Sequence, residues 1–362
     1  MASVLVEPMT DPANLVVTHP QQYLALEALL KPLRTLLSGD ITELVINEPN
    51  VVWTEGRDGW KRHDMPGFGF DQMFALARTM ANASQQKLDE VHPVLSAPLP
   101  TGERVQVVIP PATTSGHISF TIRKPSKLSK TLDGYVEDSY FSKCRISKNI
   151  TNELLADDRL FENERVLVKS LLDHDFKTFF TQAVLTNKNL VTSGATGSGK
   201  TTFMKTLANI IPLDERIITI EDVHELFLPN HQNKVHLFYS KGGQGVAKVT
   251  PKELLEACLR MYPNRILLAE LRGEETFYYL RNVNSGHPGS LTSIHAADEY
   301  AVFDQMALLI KESEAGRGIP IPDIKLLLSG LVDITVQCDK QHGQRYCAGI
   351  YYDPLKRRSV GV

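Results

Sequence analysis

Residues 194–202 read Gly194-Ala195-Thr196-Gly197-Ser198-Gly199-Lys200-Thr201-Thr202 and fit the pattern G-x-x-x-x-G-K-[ST]. This loop constrains the fold because it is built between an incoming strand and an outgoing helix. Leu190-Val191-Thr192 supplies a short apolar strand before it, and Phe203 to Ala208 has helical character after it. Glycine lets the backbone turn tightly and aim its N–H groups inward, so that amide dipoles converge on a phosphate at the helix N-terminus. Lys200 then adds a point charge at the β- and γ-phosphates, and Thr201 offers a hydroxyl to Mg²⁺.

The surrounding pattern agrees. From Arg165 onward, apolar strands at Asn189–Thr192, Arg216–Ile220, Arg265–Ala269 and Ser290–Ile294 alternate with helical stretches. That order predicts a mostly parallel sheet with helices on both faces. Thr250-Pro251-Lys252-Glu253 combines an N-cap threonine, a first-turn proline and a capping-box glutamate, and its helix is expected to carry Arg260 near its end.

Upstream the reading is α+β. Residues 1–20 form a loose arm, and leucines recur at helical spacing from Gln21 to Leu37. Ile41–Ile46 and Val51–Glu55 read as strands, Asp71 as the N-cap of a helix to Ala83, and Arg104–Ile109 and His117–Arg123 as two more strands. The chain thus divides into an arm (1–20), an N-terminal α+β domain (21–125), a connector (126–164) and a C-terminal α/β domain (165–362). The connector is charged and longer than ordinary connections, which points to a working part that lets one domain swing or packs on a neighbouring subunit.

The net charge of −3 over 362 residues argues against a dedicated nucleic-acid binder. Four cysteines stand far apart with no C-x-x-C pair, which suits a reducing compartment and offers no zinc spacing. Cys338 and Cys347 face each other across a hairpin or sit as buried free thiols, the second being the reading preferred. The first residues have no basic and apolar signal pattern, and no run approaches the ~18 apolar residues of a membrane span, so membrane contact is expected to be peripheral.

In open α/β sheets the site forms beyond the carboxyl ends of the strands. There, Ile217–Ile220 leads into Glu221-Asp222-Val223-His224-Glu225, and Arg265–Ala269 leads into Glu270-Leu271-Arg272-Gly273. Phosphoanhydride hydrolysis needs a metal, a carboxylate to polarise water and cations near the terminal phosphate. Glu270 is placed to hold Mg²⁺ through water, and Glu225, ahead of Glu221, to polarise the attacking water. His287 and His295 bracket a further strand, and His295 reads as a switch touching the γ-phosphate or Glu270, or as a structural residue. Arg104 and Arg123, each at a strand end, are the first domain's candidates for phosphate contact.

Four segments in order, Gly194–Thr202, Ile220–Leu226, Leu268–Gly273 and Gly286–Ala296, resemble the Walker A, Asp box, Walker B and His box of the hexameric secretion ATPases. Gly102–Pro111 and Ser119–Ser126 also look like the N-terminal domain of the type IV secretion and conjugation traffic ATPases. The resemblance implies an N-terminal α+β domain joined to a RecA-like P-loop domain with a mostly parallel sheet. It further implies a homohexameric ring hydrolysing Mg-ATP between the domains, with Arg104 and Arg123 on the γ-phosphate so that hydrolysis releases the N-terminal domain. Arg260 matches the family's arginine-bearing helix, whereas Tyr262 stands where many relatives carry a basic residue. Implied partners are the inner-membrane channel and coupling proteins of a secretion machine, met at the cytoplasmic face. A pilus retraction or type II assembly ATPase is the alternative, although the cysteine spacing excludes the latter's tetracysteine zinc module. A P-loop kinase lacks support in the Asp and His boxes, and a non-hydrolysing module is at odds with Lys200, Glu225 and Glu270.

Overall fold

The computed structural model describes residues 20–56, 59–99, 101–124, 130–239 and 249–356; the arm at 1–19 lies outside them. The chain falls into two compact units that divide between Pro125 and Ser126.

The first unit holds α1 (Pro20–Leu37), β1 (Ile41–Glu48), β2 (Val51–Gly56), β3 (Gly59–Asp64), α2 (Phe70–Ala83), β4 (Val94–Pro98), β5 (Arg104–Val108) and β6 (Ser119–Arg123). Its antiparallel sheet runs β3-β2-β1-β6-β5-β4. Burial alternates along β4, β5 and β6, which marks a sheet covered on one face. Leu26, Leu30, Leu33 and Leu37 of α1, and Met73, Leu76, Ala77 and Met80 of α2, provide the cover by recurring every three or four residues. Each such fully buried leucine contributes about 1.5–3 kcal/mol of transfer free energy. Helix α2 begins two residues earlier than an N-cap at Asp71 would set it: Gly69 is the N-cap, with no side-chain bond, and Asp71 lies in the first turn. There its charge still meets the positive end of the helix dipole.

The second unit contains α3 (Leu132–Glu137), β7 (Arg145–Ile146), α4 (Asn152–Leu155), α5 (Glu162–Leu172), α6 (Phe176–Leu185), β8 (Leu190–Ser193), α7 (Lys200–Ala208), β9 (Ile217–Glu221) and β10 (Lys234–Phe238). It continues with α8 (Pro251–Cys258), β11 (Arg265–Leu271), α9 (Glu275–Asn284), β12 (Leu291–Ile294), α10 (Ala301–Glu312), α11 (Ile321–Leu331), β13 (Ile334–Gln341) and β14 (Gln344–Tyr352). The sheet order is β10-β9-β11-β12-β8-β13-β14-β7, parallel except for the β13–β14 hairpin. Strands β8, β9 and β12 are buried at every position, as a sheet covered on both faces requires. Neighbours along a strand enter opposite cores: Leu190, Ile217 and Leu267 face α5–α7, while Val191, Ile218 and Leu268 face α8–α11.

Residues 130–164, read from composition as a connector, are part of this second unit, and the reading is corrected there. Tyr135, Tyr140 and Phe141 join the core with Phe176, Phe180 and Phe203. The Tyr135 ring meets Phe203 of α7 edge-on at 5.2 Å, and Phe141 stacks on Phe176 at 4.7 Å. The Thr206 hydroxyl of α7 also donates to the Lys130 carbonyl at 2.6 Å. The charged run from Lys124 to Lys130 falls largely outside the described residues. Cys338 and Cys347 do face each other across the hairpin and are both buried free thiols. Among the described residues no helix is long and apolar enough to cross a membrane.

Candidate active site

Strand β8 lies mid-sheet between β12 and β13, so the loop after it opens between the carboxyl ends of its neighbours. Its start is pinned by Asn189, whose Nδ2 donates to the Leu331 carbonyl at 2.8 Å and whose Oδ1 accepts from the Gly289 amide at 2.8 Å. At its end the Ser193 hydroxyl donates to Gln337 Oε1 at 2.5 Å. Gly194 then turns with φ 142°, where an added Cβ would lie 2.1 Å from the Cys338 carbonyl oxygen, so only glycine passes. Gly197 (φ 78°) and Gly199 (φ 96°) are left-handed, and Gly199 is the N-cap from which α7 departs.

The loop fits a polyphosphate. A Cβ at Gly197 would meet nothing within 4 Å, so the backbone there is open to close approach. Ser198 Oγ is buried with no hydrogen-bond partner, a donor in need of an acceptor. Lys200, buried at the first position of α7, donates Nζ to the carbonyls of Gly194 at 2.6 Å and Ala195 at 3.0 Å. The ammonium therefore lies inside the loop, against its backbone carbonyls. Thr201 follows at the helix start, and Ala195 and Thr196 form the exposed rim.

Lys200 is also the first link of a chain of polar contacts across the strand ends. Its Nζ is 3.4 Å from His295 Nδ1, and His295 Nε2 is 2.8 Å from Glu270 Oε1. Burial, then the adjacent Lys200 charge, lowers the His295 pKa against the pull of Glu270. The lowered pKa favours the neutral imidazole, whose Nδ1 faces the ammonium and whose Nε2 faces the Glu270 carboxylate. Glu270 Oε2 accepts from Arg272 Nε at 2.7 Å and also from Nη2, and Arg272 Nη1 donates to Asp222 Oδ2 at 2.8 Å. Burial works against the Arg272 charge, but Asp222 and Glu270 outweigh it and raise its pKa. Three strand ends, β9, β11 and β12, are joined to the loop in this way.

The two glutamates after β9 differ. Glu221 is fully buried, and its Oε2 accepts the amides of Glu225 at 2.7 Å and Leu226 at 2.8 Å while Oε1 accepts from the Thr219 hydroxyl at 2.9 Å. It folds the following loop around itself. Glu225 is half-buried and carried on that loop, and its charge acts on buried Lys205, whose pKa is lowered by burial.

Other candidates lie elsewhere. His287 precedes β12 and its Nδ1 is bonded to the Pro263 carbonyl at 3.1 Å, at the amino end of the strands. Arg260 is exposed just past the end of α8, next to Met261, whose carbonyl accepts from Arg216 at the start of β9. Helix α8 runs back along the sheet and ends at the edge opposite the loop, so within its own unit Arg260 is not brought to the phosphate site. Arg104 and Arg123 belong to the first unit, where they are register partners on β5 and β6. Arg123 Nε stands 3.5 Å from Glu43 Oε1, and burial, against this arginine, pushes the Glu43 carboxyl up to about 6.

Two residues escape motif reading. Arg272 stands two positions beyond Glu270, inside the quoted segment, and that spacing on a strand end was the available signal. Arg345 of β14 donates Nε to the Gly197 carbonyl at 2.9 Å, a contact over 148 residues that no local pattern carries.

Known proteins resemble this chain in sequence and fold. The family described as Type II/IV secretion system protein matches residues 159–337. The type IV secretion system protein VirB11 of Bartonella henselae is 47% identical over 334 residues, covering 91% of this chain and 94% of its own. A solved VirB11 ATPase from the Brucella suis type IV secretion system, in complex with sulphate, is 38% identical with a TM-score of 0.53, covering 94% of this chain and 98% of that one. The pilus retraction motor PilT with bound ADP has a TM-score of 0.54 over 92% of this chain and 86% of its own, but at 15% identity it speaks for the RecA-like fold alone. With identity of this order along nearly its full length, and the loop, the acids and the histidine set out above, the chain belongs to the VirB11 family of type IV secretion ATPases and is an ATP hydrolase of that class.

Proposed function

We propose that this chain hydrolyses Mg-ATP at the loop 194–202 and works as a homohexamer at the cytoplasmic face of the inner membrane, converting turnover into movement of its first unit for the channel and coupling proteins of a secretion machine. The observation that carries the reading is the contact series Lys200–His295–Glu270–Arg272–Asp222, because it ties the phosphate loop to the strand ends that bear acids. Gly194, Ala195, Thr196, Gly197, Ser198 and Gly199 present backbone to the phosphates, Lys200 supplies charge, and Thr201 and Thr202 cap the contact at the start of α7. Mg²⁺ fits beside Thr201 and Glu270, a hydroxyl and a carboxylate of the hard-oxygen kind it prefers, and when bound it neutralises charge on the phosphates. No cysteine is needed for it.

Glu225 is assigned the polarising of water, in preference to Glu221. A carboxylate has about four acceptor positions. Glu221 commits three to Glu225, Leu226 and Thr219, which suits it to hold the loop that presents Glu225. His295, neutral between Lys200 and Glu270, is placed to report the terminal phosphate to the metal-side acid. Arg104 and Arg123, paired on adjacent strands, are assigned the γ-phosphate from the first unit, so that its loss frees that unit. Arg260, exposed at the far edge of its own unit, is assigned to a neighbouring copy's nucleotide.

The test is steady-state phosphate release with Mg-ATP alongside size-exclusion chromatography. Wild type is expected to turn over and to elute as a ring with nucleotide, and Arg104→Ala and Arg123→Ala each to lower kcat without unfolding. Unchanged kinetics in both variants remove the first unit from the site, and a monomer at all nucleotide concentrations removes the ring.

A further inference from the structure

Behind the loop that presents Glu225 lies a set of donors that includes two histidines to which hydrolysis gives no part. Strand β10 is the edge of the sheet and pairs in parallel with β9, His236 opposite Thr219 and Phe238 opposite Glu221. On a strand, positions two apart share a face, so Thr219, Glu221 and His236 are brought side by side. His224 returns to the same place on the loop that Glu221 folds, with its ring 4.4 Å from that of His236. One donor atom from each of Glu221, His224 and His236 lies within 4.8 Å of the others, and among the described residues this is the one such trio.

From this geometry we infer a binding site for a divalent transition-metal ion of the zinc class, with Glu221, His224 and His236 as ligands and a fourth position open to water. Two imidazoles and one carboxylate are an established ligand set for such an ion, with bonds of about 2.0–2.2 Å. A tetrahedron of those bonds has edges of about 3.3–3.6 Å, and His236 Nδ1 stands 3.5 Å from Glu221 Oε1. The His224 donor lies within 4.8 Å of the other two and closes the set by moving inward.

The outer contacts are in place as well. Thr219 Oγ1 is 2.7 Å from His236 Nδ1 and 2.9 Å from Glu221 Oε1, yet its hydroxyl has a single proton. An ion on His236 leaves that proton to Glu221 as a second-layer bond that orients the ligand. Glu221 Oε2 is already fixed by two amides, so the carboxylate is pre-aimed. Phe227, 4.4 Å from the His224 ring, and Phe238, 5.7 Å from it, give the trio an apolar side. The chemistry also separates this site from that of Mg²⁺, which favours oxygen donors and keeps several waters, whereas imidazoles select the later first-row metals. An ion held here ties the edge strand to the loop that carries Glu225.

The experiment uses the full chain freed of metal and titrated with CoCl₂, followed by ZnCl₂. We expect one equivalent of cobalt to produce visible d–d bands of a low-coordinate site, zinc to abolish them, and zinc to raise the wild-type Tm. His236→Ala and His224→Ala, with unaltered circular dichroism, are expected to weaken binding by at least about tenfold and to lose the Tm shift. The inference is overturned if wild type yields no such bands, or if both histidine variants keep them. It is equally overturned if intense thiolate charge-transfer appears and is lost in Cys144→Ser, since the metal would then sit on the Cys144–Cys347 thiols, 3.4 Å apart.

Discussion

Replacing Arg272 by alanine removes the one guanidinium that joins Asp222 after β9 to Glu270 on β11. Two unit charges 4 Å apart interact by about 4 kcal/mol at an effective dielectric of 20. The Arg272 side chain is 31% exposed, so solvent screening reduces each pair to about 1 kcal/mol. Loss of both, with two carboxylates left facing each other, costs about 2–3 kcal/mol. For a unit of this size that lowers Tm by roughly 4–10 °C. The effect on turnover is larger in proportion. The fork from Nε and Nη2 holds one oxygen of Glu270 while His295 stands near the other, and an acid displaced by about 1 Å costs ~10²-fold in rate. Arg272→Lys separates the two effects, because it keeps the charge but not the planar fork. It should regain most of the stability and little of the turnover. The assay is phosphate release under saturating Mg-ATP, with thermal melts of the same samples. If Arg272→Ala turned over within about threefold of wild type while nucleotide binding was unchanged, Arg272 would not position Glu270 and the reasoning would fail.

Lys200→Gln should abolish phosphate release while circular dichroism and melting stay near wild type, since the residue lines the loop and not a core. Glu215→Ala leaves Arg265, 1% exposed and paired bidentately at 2.6 and 2.9 Å, with an uncompensated charge. It should cost about 3 kcal/mol, measured by urea unfolding, with kcat little changed because the pair sits at the amino ends of the strands. His295 has a pKa below histidine's usual ~6.5, so as pH falls through that value the unfolded chain takes up the proton first. Wild type should therefore lose stability with falling pH more steeply than His295→Gln, and its turnover should fall with protonation; parallel stability profiles would contradict the neutral assignment.

Much of the second unit was legible because a two-face-covered sheet writes itself as unbroken apolar runs. Leu190–Ser193, Ile217–Glu221 and Leu291–Ile294 are such runs, and the polar residues that follow them form the site. The capping box at Thr250 and Glu253 was equally plain, because its two reciprocal bonds depend on local spacing alone. What escaped depends on distance. Tyr135, Tyr140 and Phe141 are sparse among charges and sit on or beside a six-residue helix, too short to show a period, so their place against Phe203 was hidden. Arg345 reaches the loop across a sheet, and Asn189 ties the approach to β8 to the end of α11 and to the turn before β12 by side-chain bonds that no periodicity announces. The place of Arg260 likewise follows from topology and not from local pattern, because in a parallel sheet the helix between two strands returns to the edge where the next strand begins.

The most direct test of the account is a pair of structures of the full chain, one with Mg²⁺ and a non-hydrolysable ATP analogue and one with ADP. The account predicts Lys200 Nζ moved from the Gly194 and Ala195 carbonyls onto the β- and γ-phosphates, with Arg104 or Arg123 at the γ-phosphate only in the triphosphate state. A triphosphate bound with neither arginine in contact, and the first unit placed identically in both structures, would contradict it.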